Sequence, residues 1–340
     1  MKKDGIFEEF EDRIRLKKDE SKHKKNIYSR YCDFIYYESS VTPGITLAMQ
    51  VFKPESPSYI LASTHGWHMS IGAFKERSEA YSKYLQVSVD MRGRAHSEGK
   101  QDCNALELFD IIDAIEYVKK NYAEYIIDPE VVYFQGGSGG GGNALALAVK
   151  FPDYFAEINA LSSISDYALW YKGDNVGEFR DEMDVWIGTY DNLEAYASRS
   201  AISAPENISC PIFLAHGELD IRVPVYQPRN FIEAVNKVGK GHFLSYFELS
   251  GVGGMQHFSG ITDEKKKTLN ELCEAAREKN RHPSKIARRG KMTVCGYLYT
   301  KHFSVTLSSV DLVRHIEYDL DKGYFNLPDA KENEYTLRVK

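Results

Sequence analysis

Val-Val-Tyr-Phe-Gln-Gly-Gly-Ser-Gly-Gly-Gly-Gly-Asn-Ala-Leu-Ala-Leu occupies residues 131–147 of the chain. Residues Val131–Phe134 are β-branched or aromatic and predict a short buried strand, whereas the alanines and leucines at the other end favour a helix. The turn between them, Gly136–Gly140, matches G-x-S-x-G, the pattern of a nucleophile elbow. In such an elbow, a strained strand-to-helix turn exposes the serine hydroxyl above the sheet. The stretch therefore predicts that Ser138 is a nucleophile and that the backbone N–H of Gly139 faces a bound oxyanion.

Two other interpretations of this stretch are weaker. With 25 glycines in 340 residues, G-x-S-x-G arises by chance about 0.15 times in such a chain. A glycine-rich turn before a helix also binds phosphate. However, the chain lacks G-x-x-x-x-G-K-[ST], and the context of a dinucleotide-binding G-x-G-x-x-G motif is poorly met. The strand, turn and helix of an elbow are all present, which favours the nucleophile.

Composition narrows the class of protein. The chain has 340 residues, 43% of them apolar and 27% charged, which is typical of one large globular α/β domain with additions or of two domains. A net charge of −6 argues against nucleic-acid binding. The chain starts without the apolar stretch of a secretory signal, and no run is long enough to span a bilayer. The five cysteines are scattered and predict buried thiols in a reducing compartment. We therefore expect a cytoplasmic protein with no nucleic-acid or membrane partner.

Strand and helix patterns alternate through most of the chain, which predicts an α/β fold with a mostly parallel, doubly wound sheet over residues 31–282. Residues 1–30 are charged with helical spacing and predict an N-terminal helical extension. The first two predicted strands are expected to form a hairpin. The predicted strands are Asp33–Glu38, Thr46–Phe52, Tyr59–Thr64, Leu85–Asp90, Val131–Phe134, Glu157–Ser162, Pro211–His216 and Leu244–Leu249, and the clearest helices are Asn104–Tyr122, Gln227–Val238 and Asp263–Asn280. Ligands of such sheets bind at the carboxyl ends of the strands.

Two segments depart from this alternation. Residues 166–208 combine aromatic and acidic side chains and predict a helical cap insertion, in which Trp170 and Trp186 are candidates for substrate binding or for packing. Residues 283–340 predict a β-rich C-terminal extension that is too small to fold alone. Its expected start is a basic link, Lys285–Lys291, followed by a strand at Thr293–Tyr299. We expect this extension to pack on the main domain or on another subunit, where it would form a homo-oligomer.

A serine hydroxyl needs a base, and the base needs a carboxylate that orients it. In enzymes with an elbow the chain order is Ser, then Asp or Glu, then His. Asp220 follows the strand that ends near Ala215, and His257 follows the last strand of the main sheet. The positions of Ser138, Asp220 and His257 therefore predict a catalytic triad.

Other residues compete for these roles. Glu218 lies two residues from Asp220 and is an alternative acid. His65 and His216 also end strands, but such histidines more often bond a loop than perform chemistry. No His-Glu-x-x-His spacing of a zinc site is present, and the predicted chemistry needs no metal and no cofactor. The second oxyanion donor is expected after the strand that ends at Thr64, with the backbone N–H of Trp67 as the best candidate.

From about Tyr31 to Asn280 the chain resembles the α/β-hydrolase superfamily. Within it, the chain is similar to the catalytic domain of the prolyl oligopeptidase family and to the group of acetyl xylan esterase, cephalosporin deacetylase and dienelactone hydrolase. The resemblance rests on four segments: His65–Trp67, Asp90–Gly99, Gly136–Gly140 and His216–Pro224. It implies Ser138 as nucleophile, Asp220 as acid and His257 as base, with Trp67 and Gly139 in the oxyanion hole.

The chain also departs from that pattern. Gly139 stands where these groups often have Tyr or Gln, the turn around His257 matches the family only loosely, and we expect no β-propeller of the prolyl oligopeptidase type within these 340 residues. We therefore expect a serine carboxylesterase that acts on a small acyl ester, with acylated sugars and aromatic acyl esters as the substrates suggested by Trp67, Trp170 and Trp186. The alternatives are a peptidase of the oligopeptidase type and a non-enzymatic binding protein on the same fold.

Overall fold

The protein is described by a computed structural model over residues 30–71, 80–174, 177 and 179–340. The helical extension predicted for residues 1–30 lies outside this part, apart from residue 30. The main sheet has eight strands in the order β1-β2-β4-β3-β5-β6-β7-β8. These are β1 (Cys32–Glu38), β2 (Thr46–Phe52), β3 (Ile60–Ser63), β4 (Leu85–Asp90), β5 (Val132–Gly137), β6 (Glu157–Leu161), β7 (Ile212–Gly217) and β8 (Leu244–Leu249).

Only the first part of this sheet is antiparallel. Strands β1 and β2 form the predicted hairpin, and β2 pairs antiparallel with β4. Every later pairing, from β4–β3 through to β7–β8, is parallel. The carboxyl ends of six strands therefore meet at one edge of the sheet, as the sequence predicts for an α/β-hydrolase fold.

Helices cover both faces of the sheet, and each buries the face that its sequence makes apolar. They are α1 (Glu107–Asn121), α2 (Gly139–Lys150), α6 (Tyr226–Lys237) and α7 (Asp263–Lys279). Helix α1 buries an apolar stripe, whereas all twelve residues of α2 are buried. The small glycine and alanine side chains of α2 allow it to lie close against the sheet. All five cysteines are buried and form no disulfide. No helix in the described ranges is long and apolar enough to cross a membrane.

Three short helices lie between β6 and β7, where the sequence predicts the cap: α3 (Tyr167–Gly173), α4 (Arg180–Trp186) and α5 (Leu193–Arg199). Asp166 and Asn192 cap α3 and α5 by accepting hydrogen bonds from backbone N–H groups. The three helices enclose an aromatic cluster that includes Trp67 of the main domain. The cap is therefore packed over the edge of the sheet that carries the predicted site.

The C-terminal part forms a second, antiparallel sheet in the order β13-β12-β9-β10-β11-β14. Its strands are β9 (Arg289–Cys295), β10 (Tyr297–Tyr299), β11 (Phe303–Leu307), β12 (Val313–Asp319), β13 (Tyr324–Asn326) and β14 (Tyr335–Val339).

The sequence placed two boundaries of this sheet wrongly. The predicted single strand Thr293–Tyr299 is divided at Gly296, which has φ +74° and packs on the backbone of Val310. Strand β9 also starts at Arg289, inside the segment expected to be a basic link. The charges there are accommodated across strands, because Lys291 lies 2.5 Å from Glu317.

The second sheet is docked on the main domain through buried contacts. Tyr297 is 1% exposed, its ring lies 4.6 Å from that of Phe109, and its hydroxyl donates a hydrogen bond to the Ala105 carbonyl at 2.6 Å. Asn207 exchanges two further hydrogen bonds with the backbone of Thr293, at 2.7 and 2.9 Å. In this structure the extension packs on its own chain.

We expect Tyr297→Ala to lower the free energy of unfolding by about 3–5 kcal/mol, because it removes a large buried ring. Tyr297→Phe should cost about 1–3 kcal/mol, because it leaves the Ala105 carbonyl without its donor. Urea unfolding measures both. Tyr324→Ala, at an exposed position of the same sheet, is the control and should change stability by less than about 0.5 kcal/mol. An unchanged midpoint for Tyr297→Ala would contradict the docking.

Candidate functional site

The turn between β5 and α2 has the backbone geometry of a strained elbow. Ser138 has φ 56° and ψ −120°, a conformation that residues other than glycine rarely adopt. Its N–H donates to the Leu161 carbonyl at 3.0 Å, and its own carbonyl accepts from the Gly142 N–H at 3.0 Å. The turn is therefore fixed from both sides, and Ser138 stays partly exposed at the carboxyl edge of the sheet.

Glycine at position 136 is dictated by packing. A Cβ atom on Gly136 would lie well inside van der Waals distance of the Gly140 carbonyl. By contrast, a Cβ on Gly137 would have its nearest neighbour at 3.8 Å. The first glycine of the motif is thus required for the backbone to fold back on itself, while the next one is not.

Gly139 brings two backbone segments together. A Cβ atom at this position would lie 2.6 Å from the backbone nitrogen of Trp67. The N–H groups of Gly139 and Trp67, the two expected oxyanion donors, therefore belong to segments in direct contact. The same contact explains why the chain has glycine where related groups often have a larger residue, since any side chain would displace the loop after β3.

The structure brings Asp220 and His257 together. The Nδ1 atom of His257 lies 2.7 Å from Oδ2 of Asp220, and the aspartate side chain is fully buried while the histidine ring is 19% exposed. The other carboxylate oxygen of Asp220 accepts the N–H groups of Arg222 and Val223 at 3.1 and 3.0 Å. These bonds hold the carboxylate in place, so that it fixes the orientation of the imidazole.

The competing residues have other partners. Glu218 accepts hydrogen bonds from the Ser250 hydroxyl and the Gly251 N–H at 2.8 and 2.9 Å. The Nε2 atom of His216 lies 2.6 Å from the Val223 carbonyl, and burial lowers the pKa of this ring. Both side chains therefore stabilise loops, as the sequence suggests for His216.

Ser138 lies at the same edge of the sheet as this pair but is not bonded to it. Within the described part of the chain, the Ser138 hydroxyl forms no hydrogen bond, so the structure joins two members of the predicted triad and leaves the serine separate. Catalytic hydrogen bonds are often long in proteins without substrate. No group of three His, Cys, Asp or Glu side chains among the described residues is arranged to hold a metal ion.

A contact that the sequence does not reveal joins the cap to the loop after β3. Glu182 of α4 accepts the indole N–H of Trp67 at 2.7 Å, and its carboxylate lies 2.5 Å from Nε2 of His68. The ring of His68 is stacked on Phe179 at 5.3 Å. The loop that carries the Trp67 N–H is therefore held by a carboxylate from the cap, 115 residues further along the chain.

The three tryptophans differ in what they can contact. Trp170 is 2% exposed and its indole N–H donates to the Arg222 carbonyl at 2.7 Å, so the structure gives it a packing role. Trp186 is partly buried between Trp67, 4.8 Å away, and the guanidinium of Arg94. Substrate contact therefore remains a prediction for Trp186 and for the rim of Trp67, and the packing alternative is favoured for Trp170.

A buried polar network lies behind the elbow helix. The Asn143 amide donates to Glu107 at 2.9 Å and to the Asn104 side chain at 2.8 Å. Burial, followed by the nearby charge of Asp102, raises the pKa of Glu107 to about 8. The sequence gives only a faint signal of this network, namely one Asn within the glycine- and alanine-rich helix.

The fold is that of the α/β-hydrolase class, and the family follows from comparison with known proteins. The model of the prolyl oligopeptidase family matches residues 74–274, which is more than half of the chain. The chain therefore belongs to the prolyl oligopeptidase family, one of the groups that its motifs resemble.

Individual relatives include both peptidases and esterases. "Uncharacterized peptidase YuxL" of Bacillus subtilis is 26% identical over 192 residues, covering 53% of this chain and 29% of that protein. "Esterase LipQ" of Mycobacterium tuberculosis is 28% identical over 155 residues, covering 42% of this chain and 37% of that protein. The chain thus spans about a third of the length of these curated relatives. Among solved structures, an acylaminoacyl peptidase bound to Z-Gly-Gly-Phe-chloromethyl ketone has a TM-score of 0.63 at 18% identity, covering 79% of this chain and 44% of its own.

We expect Gly136→Ala to lower the free energy of unfolding by about 1–3 kcal/mol or more, because the added methyl group overlaps the Gly140 carbonyl. Gly137→Ala is the matched control and should be tolerated, since its methyl group meets no atom closer than 3.8 Å. Urea denaturation of both variants measures the difference. Equal losses in the two would show that the close approach at Gly136 does not limit the fold.

The buried ring of His65 predicts a pH dependence of stability. Burial, aided by the charge of Arg94, lowers its pKa from 6.5 to about 3. Below pH 6.5 the unfolded chain binds a proton at this histidine that the folded protein excludes. The free energy of unfolding therefore decreases as the pH is lowered, and this residue contributes at most about 1.4 kcal/mol per pH unit. In His65→Gln this contribution is absent. Unfolding measured at pH 7.5, 6 and 5 should give a shallower slope for the variant, and parallel slopes would refute the assignment.

Proposed function

We propose that the protein is a serine esterase that hydrolyses a small acyl ester through Ser138, His257 and Asp220. The observation that carries this proposal is the strained elbow at Ser138, whose following residue contacts the backbone of Trp67 at the same edge of the sheet as the Asp220–His257 pair. A strained nucleophile, an oriented base and two neighbouring N–H donors are the components that acyl transfer needs.

In the proposed mechanism, the Ser138 hydroxyl attacks the ester carbonyl carbon as the Nε2 atom of His257 accepts its proton. The oxyanion that forms accepts hydrogen bonds from the N–H groups of Gly139 and Trp67. The intermediate then collapses, and the leaving alcohol takes the proton back from His257. Water, deprotonated by the same histidine, hydrolyses the acyl-enzyme, while Asp220 stabilises the imidazolium in both halves of the reaction.

The contacts of the cap's acidic residues bear on the peptidase alternative. A peptidase that binds a substrate amine needs carboxylates with free oxygens near the site. Glu182 is bonded to Trp67 and His68, which removes one such carboxylate, whereas Asp181 is exposed and Asp184 accepts a hydrogen bond from the Tyr171 hydroxyl at 3.3 Å. The relative named an esterase supports ester hydrolysis, and the relative named a peptidase keeps the peptidase as an alternative. A binding protein without catalysis is the third candidate.

Hydrolysis assays distinguish these functions. The wild type should hydrolyse p-nitrophenyl acetate, butyrate or octanoate faster than aminoacyl-p-nitroanilides. The acyl length of the ester that is hydrolysed fastest indicates the size of the acyl pocket. Ser138→Ala should lower kcat on that ester by at least about 10³-fold, since no other group replaces the nucleophile. Ser163→Ala, at a buried serine outside the proposed triad, is the control.

Each other outcome has a clear meaning. Anilide cleavage that exceeds ester turnover, and that Ser138→Ala removes, would replace the esterase with a peptidase. Turnover that survives in Ser138→Ala would refute the proposed nucleophile. The absence of hydrolysis for every substrate in the panel would favour the binding protein.

The proposed oxyanion hole predicts a role for Glu182. Glu182→Ala frees the indole of Trp67 and the ring of His68, so the loop loses its anchor. We expect kcat on the best ester to fall about tenfold with little change in KM, since loss of a whole donor costs about 10²–10³-fold. Asp181→Asn removes a charge from an exposed position of the same helix and should leave kcat unchanged. A rise in KM alone would instead assign Glu182 to substrate binding.

A further inference from the structure

His216 is a buried side chain that the proposed reaction does not use. It is the second-last residue of β7 and is 0% exposed. Its Nε2 atom lies 2.6 Å from the carbonyl oxygen of Val223, in the loop that carries Asp220. A carbonyl oxygen only accepts hydrogen bonds, so Nε2 carries the ring proton and donates it. The histidine at the end of the strand is thus bonded to one backbone atom of the Asp220 loop.

The other ring nitrogen does not compete with this bond. Nδ1 of His216 is buried and has no hydrogen-bond partner among the described residues. A proton on Nδ1 would be a buried donor without an acceptor, and it would leave Nε2 without a proton against the Val223 carbonyl, which costs free energy twice. The donor at the Nε2 position is therefore the polar contribution of this side chain in the part of the chain that the structure describes.

Val223 passes this contact on to Asp220. The N–H of Val223 donates to Oδ1 of Asp220 at 3.0 Å, while its carbonyl accepts from His216. The opposite oxygen of the carboxylate, Oδ2, lies 2.7 Å from Nδ1 of His257. A continuous series of hydrogen bonds therefore runs from the His216 ring, through Val223 and the carboxylate, to the proposed base.

His216 does not reach the carboxylate directly. Its Nε2 atom is 3.6 Å from Oδ2 of Asp220, which is beyond the range of about 2.7–3.2 Å for such a hydrogen bond. The loop also has a second anchor, because the indole N–H of Trp170 in the cap donates to the Arg222 carbonyl at 2.7 Å. Loss of the His216 bond should therefore loosen the loop around Asp220 without releasing it.

We propose that His216 is a positioning residue for the triad, which holds the Val223 carbonyl and thereby keeps the Asp220 carboxylate directed at His257. This role depends on the proposed function, since it affects catalysis only if Asp220 and His257 act in hydrolysis. A well-placed Asp220 stabilises the imidazolium that forms when His257 takes the serine proton. A loosened carboxylate stabilises it less, which lowers kcat and moves the acid limb of the pH profile to lower pH.

The titratable side chains that face the His216 ring also bear on this profile. They include Asp220 on the same loop, His257 on the loop after β8 and Glu248 of β8. Glu248 accepts hydrogen bonds from Arg229 and Tyr246, at 3.0 and 2.7 Å, and is thereby held on β8. Replacing His216 by an amide leaves all three in place, so a change in the profile reports the contact of Asp220 with His257.

Two amides of different length test this role. The amide nitrogen of glutamine reaches about as far from the backbone as Nε2 of histidine, whereas that of asparagine reaches only as far as Nδ1. His216→Gln should keep kcat on the best p-nitrophenyl ester within about twofold of the wild type, because the donor to Val223 is restored. His216→Asn should lower kcat about tenfold with KM unchanged, well short of the about 10⁴-fold cost of replacing the carboxylate of a triad.

The pH dependence of kcat/KM separates positioning from a loss of stability. In His216→Asn the acid limb should move to lower pH, by roughly 0.5 unit. A protein that is only less stable loses activity earlier on acidification, so its acid limb moves to higher pH. His242→Asn, at an exposed histidine in the turn before β8, is the control and should leave kcat and the profile unchanged.

A double-mutant cycle shows whether His216 acts through Asp220. Asp220→Asn should lower kcat by about 10³–10⁴-fold, and His216→Asn should lower it no further in that background. Circular dichroism and the Tm verify that each variant is folded. His216→Leu, which fills the site without a donor, replaces His216→Asn if the latter does not fold.

Four results would overturn the role of His216. They are an unchanged kcat in His216→Asn, a loss in His216→Gln as large as in His216→Asn, an acid limb that moves to higher pH, and the same fold loss with and without Asp220→Asn. If Asp220→Asn itself keeps the wild-type kcat, the triad is refuted and the role of His216 with it. That variant therefore distinguishes failure of the proposed function from failure of the His216 assignment alone.

Discussion

The close approach of backbone to backbone around Ser138 is the constraint on which the rest of the structure depends. The four glycines after the serine start α2, and a Cβ atom on each would meet a different neighbour. These neighbours are the Trp67 backbone for Gly139, the His65 carbonyl for Gly140, the Leu161 carbonyl for Gly141 and the Tyr167 hydroxyl for Gly142. The loop after β3, the end of β6 and the cap thus all meet one glycine-rich turn. Side chains there would separate the parts that the proposed chemistry needs together.

The elements that the sequence predicts well are those with a local signal. Period-two and period-3.6 patterns locate the strands and helices of the main domain within a few residues. The contact of Asp220 with His257 is expected from the strand ends that the two residues follow. The contact of Glu182 with Trp67 and the network around Glu107 join residues far apart in sequence, so no local pattern marks them. The start of strand β9 at Arg289 is not predicted for the same reason, because the charge of Lys291 is paired with Glu317 on β12, far along the chain.

The second sheet, the cap and the site form a continuous chain of contacts. Arg199, at the end of cap helix α5, bonds the Val310 carbonyl and the Asp311 carboxylate of the second sheet, both at 2.7 Å. Glu194 on the same helix accepts Arg314 at 2.7 Å. From the cap, Glu182 reaches the loop after β3. The C-terminal extension therefore supports the cap, and the cap anchors this loop. The extension thus contributes to the structure of the site indirectly, through the cap.

The central claim is that the strain at Ser138 produces a reactive nucleophile. Labelling the purified protein with a fluorophosphonate, followed by intact mass measurement and peptide mapping, tests it most directly. The account predicts one phosphonate adduct per chain, located on Ser138, and its loss when the protein is unfolded in urea before labelling. A protein that stays unlabelled when folded, or one labelled at another serine, would contradict it.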